Sequence, residues 1–343
     1  MVSSVFDSLQ YALFYEQDNL NCGDEYGRHA ADSIRLANLG TCSNVVDIGC
    51  GTGASTCKLI DMLEGARVVG VEPHRMIDIA RLKFGMPPLI PEEIFETVKK
   101  HPPYPEILRK YKTPRDLESH LRECIAKYQS CASRTNFYQT DASRIPEFLD
   151  ADSQDLILAS QVVHWFRENP HHGNPSSYEG KAIGAINHCL KEGGIFVFNT
   201  TSRGVLMSNG QNLEQMGEHP FRRAFKERLY VLLGKTKETG RKMPKKLDDN
   251  EIDKIMGENG LTIIAKKEEI RRVEPKTVRE NCITGGHMSL FESDFKSSNQ
   301  RGKTLSMKER EQVLEEALTY AETTCLLEEI DVTTSVVHYV ARK

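Results

Sequence analysis

An α/β fold built on a doubly wound, mainly parallel sheet is what the sequence predicts, from three observations. Short β-branched runs alternate with helical stretches along most of the chain, the pattern that gives a parallel sheet covered by helices on both faces. The first such run closes on a glycine loop, Asp47-Ile48-Gly49-Cys50-Gly51-Thr52-Gly53. The second ends on an acid, Glu72.

The elements follow in order. Residues 5–38 have helical spacing and stop at Gly40. Residues 43–48 (SNVVDI) form a short apolar run, read as a buried strand, and 55–63 return to helical spacing. Residues 67–71 (RVVGV) are the second strand, and Pro73 suits the first turn of the helix that carries Ile77, Ile79, Ala80 and Leu82. Residues 136–139 are a third strand ahead of Asp141, and 155–160 (DLILAS) a fourth. A helix over 178–190 stops at Gly193-Gly194, before a fifth strand at 195–200. A helix at 249–258 stops at Gly260 and leads into a sixth strand at 261–270. Residues 307–323 are helical, and 334–341 alternate as a last strand. Right-handed crossovers bring the carboxyl ends of strands one, two and four to one edge, where ligands bind in such sheets. The long linker before the last strand leaves an antiparallel final pair open.

Two segments stand outside the alternation. Residues 85–135 open Pro/Lys-rich and turn helical over 117–128. Residues 202–246 hold eleven Lys and Arg against four acids, a local balance of +7, with Phe221, Ala224, Phe225, Leu229, Leu232 and Leu233 at helical spacing. Segments this long inside a single domain, here 1–343, are functional or disordered as a rule, and both are read as candidate helical insertions capping the substrate side.

Composition narrows the classes. The 343 residues are 39% hydrophobic and 27% charged with net charge −4 and a pI of about 6.3, so no global basic field attracts nucleic acid or anionic membrane. The first residues lack a basic region followed by an apolar run, and no stretch reaches the ~18 apolar residues of a membrane span. Nine scattered cysteines without a C-x-x-C pair suit reduced thiols in a cytoplasmic protein without structural zinc. His171-His172, in a Pro/Gly/Asn-rich loop, reads as solvated rather than metal-ligating, and His287 has no assignable role.

The glycine loop sits between strand and helix, where glycines permit a tight turn and close approach of a ligand to the helix N-terminus. The run Gly49-Cys50-Gly51-Thr52-Gly53-Ala54 also satisfies the dinucleotide fingerprint G-x-G-x-x-A. Glu72, 19 residues past Gly53, can take both hydroxyls of a ribose in either case, at ~1.5–3 kcal/mol per charged hydrogen bond. Further residues separate the readings: Asp47 two places before the first glycine, Asp141-Ala142 after the third strand, and Gln161-Val162-Val163-His164-Trp165-Phe166 after the fourth.

With VVDIGCGTG (45–53), VVGVEPHRMIDIAR (68–81), DA (141–142) and DLILASQVVHWF (155–166), the chain resembles the class I S-adenosylmethionine-dependent methyltransferases, within them the small-molecule branch that includes the trans-aconitate methyltransferase type. The likeness is carried by 40–84 and 136–200; the insertion at 85–135 is longer than that family's core. The resemblance implies a Rossmann-like sheet of seven strands with the last reversed, and S-adenosylmethionine as cofactor. Gly49, Cys50, Gly51 and Gly53 would lie against its methionine part, with Asp47 near the amino end. Glu72 would take the ribose hydroxyls, flanked by Pro73. Met76, Asp141 and Ala142 would hold the adenine. Gln161, His164 and Trp165 would line the reaction side, with Gln161 also touching the cofactor. His164 is the candidate general base, needed for a hydroxyl or amine acceptor but not for a carboxylate. The expected acceptor is a small molecule, with a carboxylate favoured by the basic segment. The alternatives are an RNA or protein acceptor, a nicotinamide-dependent oxidoreductase using the same loop, or a cofactor-binding protein without turnover.

Overall fold

The computed structural model describes residues 8–100, 103, 106–110, 113–163, 166, 175–202, 220–233, 249–299, 305–325 and 332–343. Seven strands form one sheet in the order β3-β2-β1-β4-β5-β7-β6. They are β1 (Asn44–Ile48), β2 (Arg67–Val71), β3 (Thr135–Tyr138), β4 (Gln154–Ser160), β5 (Leu190–Ser202), β6 (Thr262–Val273) and β7 (Val332–Arg342). The first five run parallel, with Val45 paired to Val68 on one side and to Leu156 on the other. β7 lies antiparallel between β5 and β6, so the reversed last strand is present, and β3 and β6 are the two margins among the described strands.

Both faces of the sheet are covered, so the central strands are apolar without alternation. The period-2 pleat then splits each strand between two cores. Val46, Ile48, Ile157, Ala159, Phe196 and Phe198 belong to one, which includes Ile183 and Ile186 of α7 (Pro175–Cys189) and Ile252 and Met256 of α9 (Asp249–Glu258). Val45, Leu156, Leu158, Ile195, Val197 and Val340 belong to the other, with residues of α2 (Glu25–Ala37), α3 (Ala54–Met62) and α4 (Ile77–Lys83). Each such side chain contributes ~1.5–3 kcal/mol by leaving water.

Three features differ from the sequence reading. The single helix expected over 5–38 is two, α1 (Leu9–Asn21) and α2. Gly23 and Asp24 take φ of +72 and +60, a left-handed corner that no continuing helix tolerates. Pro73 is exposed and precedes α4, which begins at Ile77, so it is not a first-turn proline. The linker between the last two strands holds a 25-residue helix, α10 (Pro275–Asn299), followed by α11 (Met307–Thr324), whose Ser306 and Glu309 form a reciprocal capping box.

The segments outside the alternation fold as helices. Residues 85–135 contain α5 (Pro91–Lys100) and α6 (Leu117–Tyr128), and within 202–246 the described part is α8 (Pro220–Leu232). They make two further apolar clusters that meet on α1. Tyr11 and Leu13 join Ile79, Leu82, Phe95 and Leu121, while Phe14 joins Phe221, Phe225, Ile283 and Leu314. His287, on α10, is wholly buried in the second of these, 4.8 Å from the Phe14 ring, and burial pushes it down to about 3, hence neutral. Beside α1, the buried Glu16 carboxylate binds Lys83 of α4 at 2.6 Å and His120 of α6 at 2.8 Å. Burial alone would raise Glu16, but the two cations outweigh it and hold the carboxyl at about 2. No helix of the described residues is long and apolar enough to cross a membrane.

Candidate functional site

The carboxyl ends of β1, β2 and β4 converge on the glycine loop. Gly49, Gly51 and Gly53 have φ of +67, +53 and +89, a region open to glycine at no steric cost. Their surroundings differ. A Cβ on Gly49 would sit 2.3 Å from Val162, and one on Gly53 3.0 Å from Ala80, whereas one on Gly51 would meet only the Met76 methyl, at 3.4 Å, and a loop carbonyl at 4.0 Å. The outer glycines are therefore demanded by the protein's own packing, and the middle one shapes the ledge. The loop is pinned by backbone bonds: the Gly49 and Cys50 amides donate to the Val71 carbonyl at 2.7 and 3.1 Å, and the Gly53 amide to Cys50 at 2.8 Å. Gly53 then occupies the N-cap of α3.

Glu72 is held as an oriented acceptor. The Gly51 amide donates to Oε2 at 3.2 Å and the His74 amide to Oε1 at 3.0 Å. A carboxylate offers about four lone-pair positions, so two backbone donors orient it without exhausting it. Asp47 is wholly buried; the Ser55 and Thr56 hydroxyls from the first turn of α3 both donate to its Oδ2, at 2.7 and 2.5 Å. Its Oδ1 is buried without a partner among the described residues. Burial pushes this carboxyl up to about 6, against the pull of the Thr56 and Ser55 hydroxyls. A buried carboxyl with one unclaimed oxygen is costly unless a donor arrives, and an ammonium is the donor best matched to it. Cys50, in the same loop, is buried too; burial first, then the Asp47 and Glu72 charges, raise its thiol and keep it protonated.

The other sequence candidates fall as follows. Met76 is buried at the N-cap of α4, against the loop. Asp141 caps the short turn Ala142–Glu147, its Oδ1 accepting from the Ser143 amide at 3.0 Å and hydroxyl at 2.5 Å. Ala142 is buried in the first core. Gln161 leaves β4 with φ +59, and both its amide and its side-chain nitrogen donate to Asn199 Oδ1, at 3.1 and 2.7 Å. His164, Trp165 and the pair His171-His172 lie outside the described residues.

Sequence reasoning missed Tyr15 and Tyr26, whose rings stack 5.2 Å apart between α1 and α2. Burial raises both phenols. It also missed Asn199. Neither kind of residue leaves a local signature, since a half-buried Tyr or a buried Asn reads like any core or loop residue until its partners are known. No group of three or more His, Cys, Asp or Glu among the described residues is arranged to hold a metal ion.

Taken together, the carboxyl edge carries a wholly buried carboxyl beneath the loop (Asp47), a carboxylate oriented by two backbone amides (Glu72) and a glycine ledge. A family model described as a methyltransferase domain matches residues 23–266. A trans-aconitate 2-methyltransferase of Azoarcus sp. (strain BH72) is 42% identical over 57 residues, 17% of this chain and 22% of that protein. This chain thus aligns with only about a fifth of that curated relative's length. Among solved structures, the MccD protein aligns with a TM-score of 0.46 at 12% identity over 94% of this chain and 99% of its own. The YcgJ protein of Bacillus subtilis aligns at 0.42 and 14%, over 92% and 98%. Phosphoethanolamine N-methyltransferase 2 of Haemonchus contortus, in complex with S-adenosyl-L-methionine, aligns at 0.45 and 14%, over 100% of this chain and 60% of its own.

Proposed function

We propose, since the chain belongs to the methyltransferase domain family, that it transfers a methyl group from S-adenosylmethionine to a small-molecule acceptor. The observation that carries the cofactor reading is the buried Asp47 carboxyl with its unclaimed Oδ1, set across the glycine ledge from the oriented Glu72. Asp47 would accept from the amino group of the cofactor's methionine part, with Gly49, Cys50, Gly51 and Gly53 alongside it. Glu72 would accept from the ribose hydroxyls. Pro73, Met76, Asp141 and Ala142 would border the adenosine, with Gln161 at the end of β4. The cofactor supplies, when bound, a methyl already activated on sulfur.

The protein's remaining task is alignment and exclusion of water, worth ~7–11 kcal/mol when complete. Gln161, His164 and Trp165 face the acceptor in this reading, and the helical segments within 85–135 and 202–246 cap it. A carboxylate acceptor is favoured for two reasons: the +7 balance of 202–246 and the partial match to a protein named for trans-aconitate. A carboxylate needs no base; a hydroxyl or amine would use His164.

The test is calorimetry with S-adenosylhomocysteine and with NAD. The expected result is saturable binding of the first and none of the second. Glu72→Ala is expected to weaken that binding by ~2 kcal/mol, about thirtyfold. Unchanged affinity in a folded Glu72→Ala protein removes Glu72 from the site, and NAD binding in place of S-adenosylhomocysteine overturns the reading. Incubation with labelled S-adenosylmethionine and a metabolite extract then identifies the acceptor by what gains label.

A further inference from the structure

A polar cavity lies at the amino edge of the sheet, away from the glycine loop. Its volume is about 320 Å³, inside the range that admits small molecules. The walls come from the starts of four parallel strands. Asn44 opens β1, Arg67 opens β2, Gln154 opens β4, and Ser133, Arg134 and Asn136 surround the first residue of β3. At ~3.3 Å per residue, β1 runs ~13 Å from Asn44 to Ile48, so this cavity and the ledge at Gly49 occupy opposite ends of the same strands.

Every polar side chain in the lining can donate a hydrogen bond, and none is acidic. Arg134 is fixed in place: Nη1 donates to the Ala66 carbonyl at 2.7 Å, and Nη2 lies 3.6 Å from the Cys131 sulfur. Ala66 immediately precedes Arg67, so these bonds bring Arg134 against the start of β2. A guanidinium has five N–H donors, so Arg134 retains donors for the cavity. Arg67 is exposed, and neither arginine has a carboxylate partner among the described residues. Asp155, which accepts from the Asn44 amide at 2.9 Å, is already compensated by Lys191 at 2.7 Å. Ser153 orients the two amides on the far wall: Asn44 Nδ2 donates to its carbonyl at 3.2 Å, and Gln154 Nε2 to its hydroxyl at 2.8 Å. Each amide nitrogen keeps a second hydrogen.

Two like charges on one cavity repel each other. An anion between them turns that repulsion into charge-assisted hydrogen bonds, and the guanidinium fork matches the oxygens of carboxylate and phosphate. We propose that the amino-edge cavity binds a small molecule carrying several anionic oxygens, held between Arg67 and Arg134 with Ser133 and Asn136 as further donors. This site is separate from the one that the methyltransferase reading gives to the cofactor.

The test is calorimetric titration of the full chain, at constant ionic strength, with inorganic phosphate and with citrate. Saturable binding of at least one is expected at millimolar concentration or below, and the tighter of the two tells a phosphate ligand from a polycarboxylate. Arg67→Gln removes one guanidinium, and Asn136→Asp puts a negative charge in the cavity at nearly constant size. Both positions are exposed, so both variants are expected to melt with the wild type in the absence of anion; if one fails to fold, the other decides. Each is expected to weaken anion binding about tenfold or more. Saturating S-adenosylhomocysteine is expected to leave the anion affinity within about twofold, as for distant independent sites. No saturable binding of either anion up to ~10 mM overturns the proposal. So does wild-type affinity in either folded variant, and so does displacement of the anion by S-adenosylhomocysteine, which would put it at the glycine loop. A protein that binds the anion but not S-adenosylhomocysteine keeps this site and loses the methyltransferase reading.

Discussion

The two sides of the sheet's carboxyl edge are assembled over different distances in the chain. Around the glycine loop the Gly51 amide reaches Glu72 across 21 residues, and Ser55 and Thr56 reach Asp47 across 8 and 9. At the exit of β4, Asn199 reaches Gln161 across 38 residues and Ser33 across 166, and Ser33 reaches His338 across 305. The first set closes as soon as one strand–turn–helix–strand unit forms. The second exists only after the whole sheet, including its reversed strand, has assembled. The loop set can persist while what lies opposite is rebuilt, because the network around Asn199 draws on α2, β4 and β7.

Three interventions test or refine this contrast. The largest effect is expected at Lys83, which ties the loop side to distant helices and so is an exception to its local character. The Glu16–Lys83 pair is buried at both ends; removing one partner of such a pair costs ~3–5 kcal/mol where the other charge is stranded, and Lys83→Met falls toward the low end because Glu16 keeps His120 at 2.8 Å. Lys83→Met should lower the urea midpoint accordingly, while disruption of the exposed Arg144–Glu147 pair should leave it unmoved. Equal effects would mean that the buried cluster has no special weight.

Next comes a place where the two sides touch. Gly49→Ala places a methyl 2.3 Å from Val162 at φ +67, and left-handed strain plus overpacking sum to ~2–4 kcal/mol. A second change, Val162→Ala, should recover the overpacking share but not the backbone strain. A coupling near zero in the double-mutant cycle would show that Val162 does not seal the ledge.

The smallest effect is a pH dependence. The Asp47 carboxyl is raised to about 6 by burial, above the ~3.9 of an unfolded chain. Between those values the folded protein holds a proton that the unfolded chain has released. Stability therefore falls as pH rises through this window and is level above it. Ligand binding runs the opposite way, since an ammonium requires the ionised carboxyl. S-adenosylhomocysteine affinity should rise about tenfold from pH 5 to 7 and flatten above, with no such rise in Asp47→Asn.

The same contrast explains what could be read from the sequence. All seven strands were legible, the first two as β-branched runs closing on a glycine loop and on an acid, and the loop with Asp47 and Glu72 was legible because its parts are neighbours in the chain. Helix α10 was not. Gly285 and Gly286 lower its propensity and blur its period, yet a Cβ on Gly286 would meet Leu314 at 2.7 Å and Phe225 at 2.9 Å, so tertiary packing requires what local preference discourages. The corner at Gly23-Asp24 was passed over because the apolar spacing continues on both sides of it. Asp141 illustrates a second difficulty: the sequence places it after the third strand, but only the structure shows its Oδ1 engaged by Ser143. Asn199 could not be found at all without the fold, since its partners are contributed by α2 and β4.

The insertion of β7 between β5 and β6 has a further consequence, for behaviour at high concentration. Among the described strands it makes β7 an interior one and leaves the margins to β3, four residues long, and to β6, where Lys266, Lys267, Glu268 and Glu269 crowd the middle. A strand arriving from a second molecule would find either too few amides to pair with or a run of charges whose order it cannot mirror. The topology thus guards the sheet against templated stacking of one copy on another.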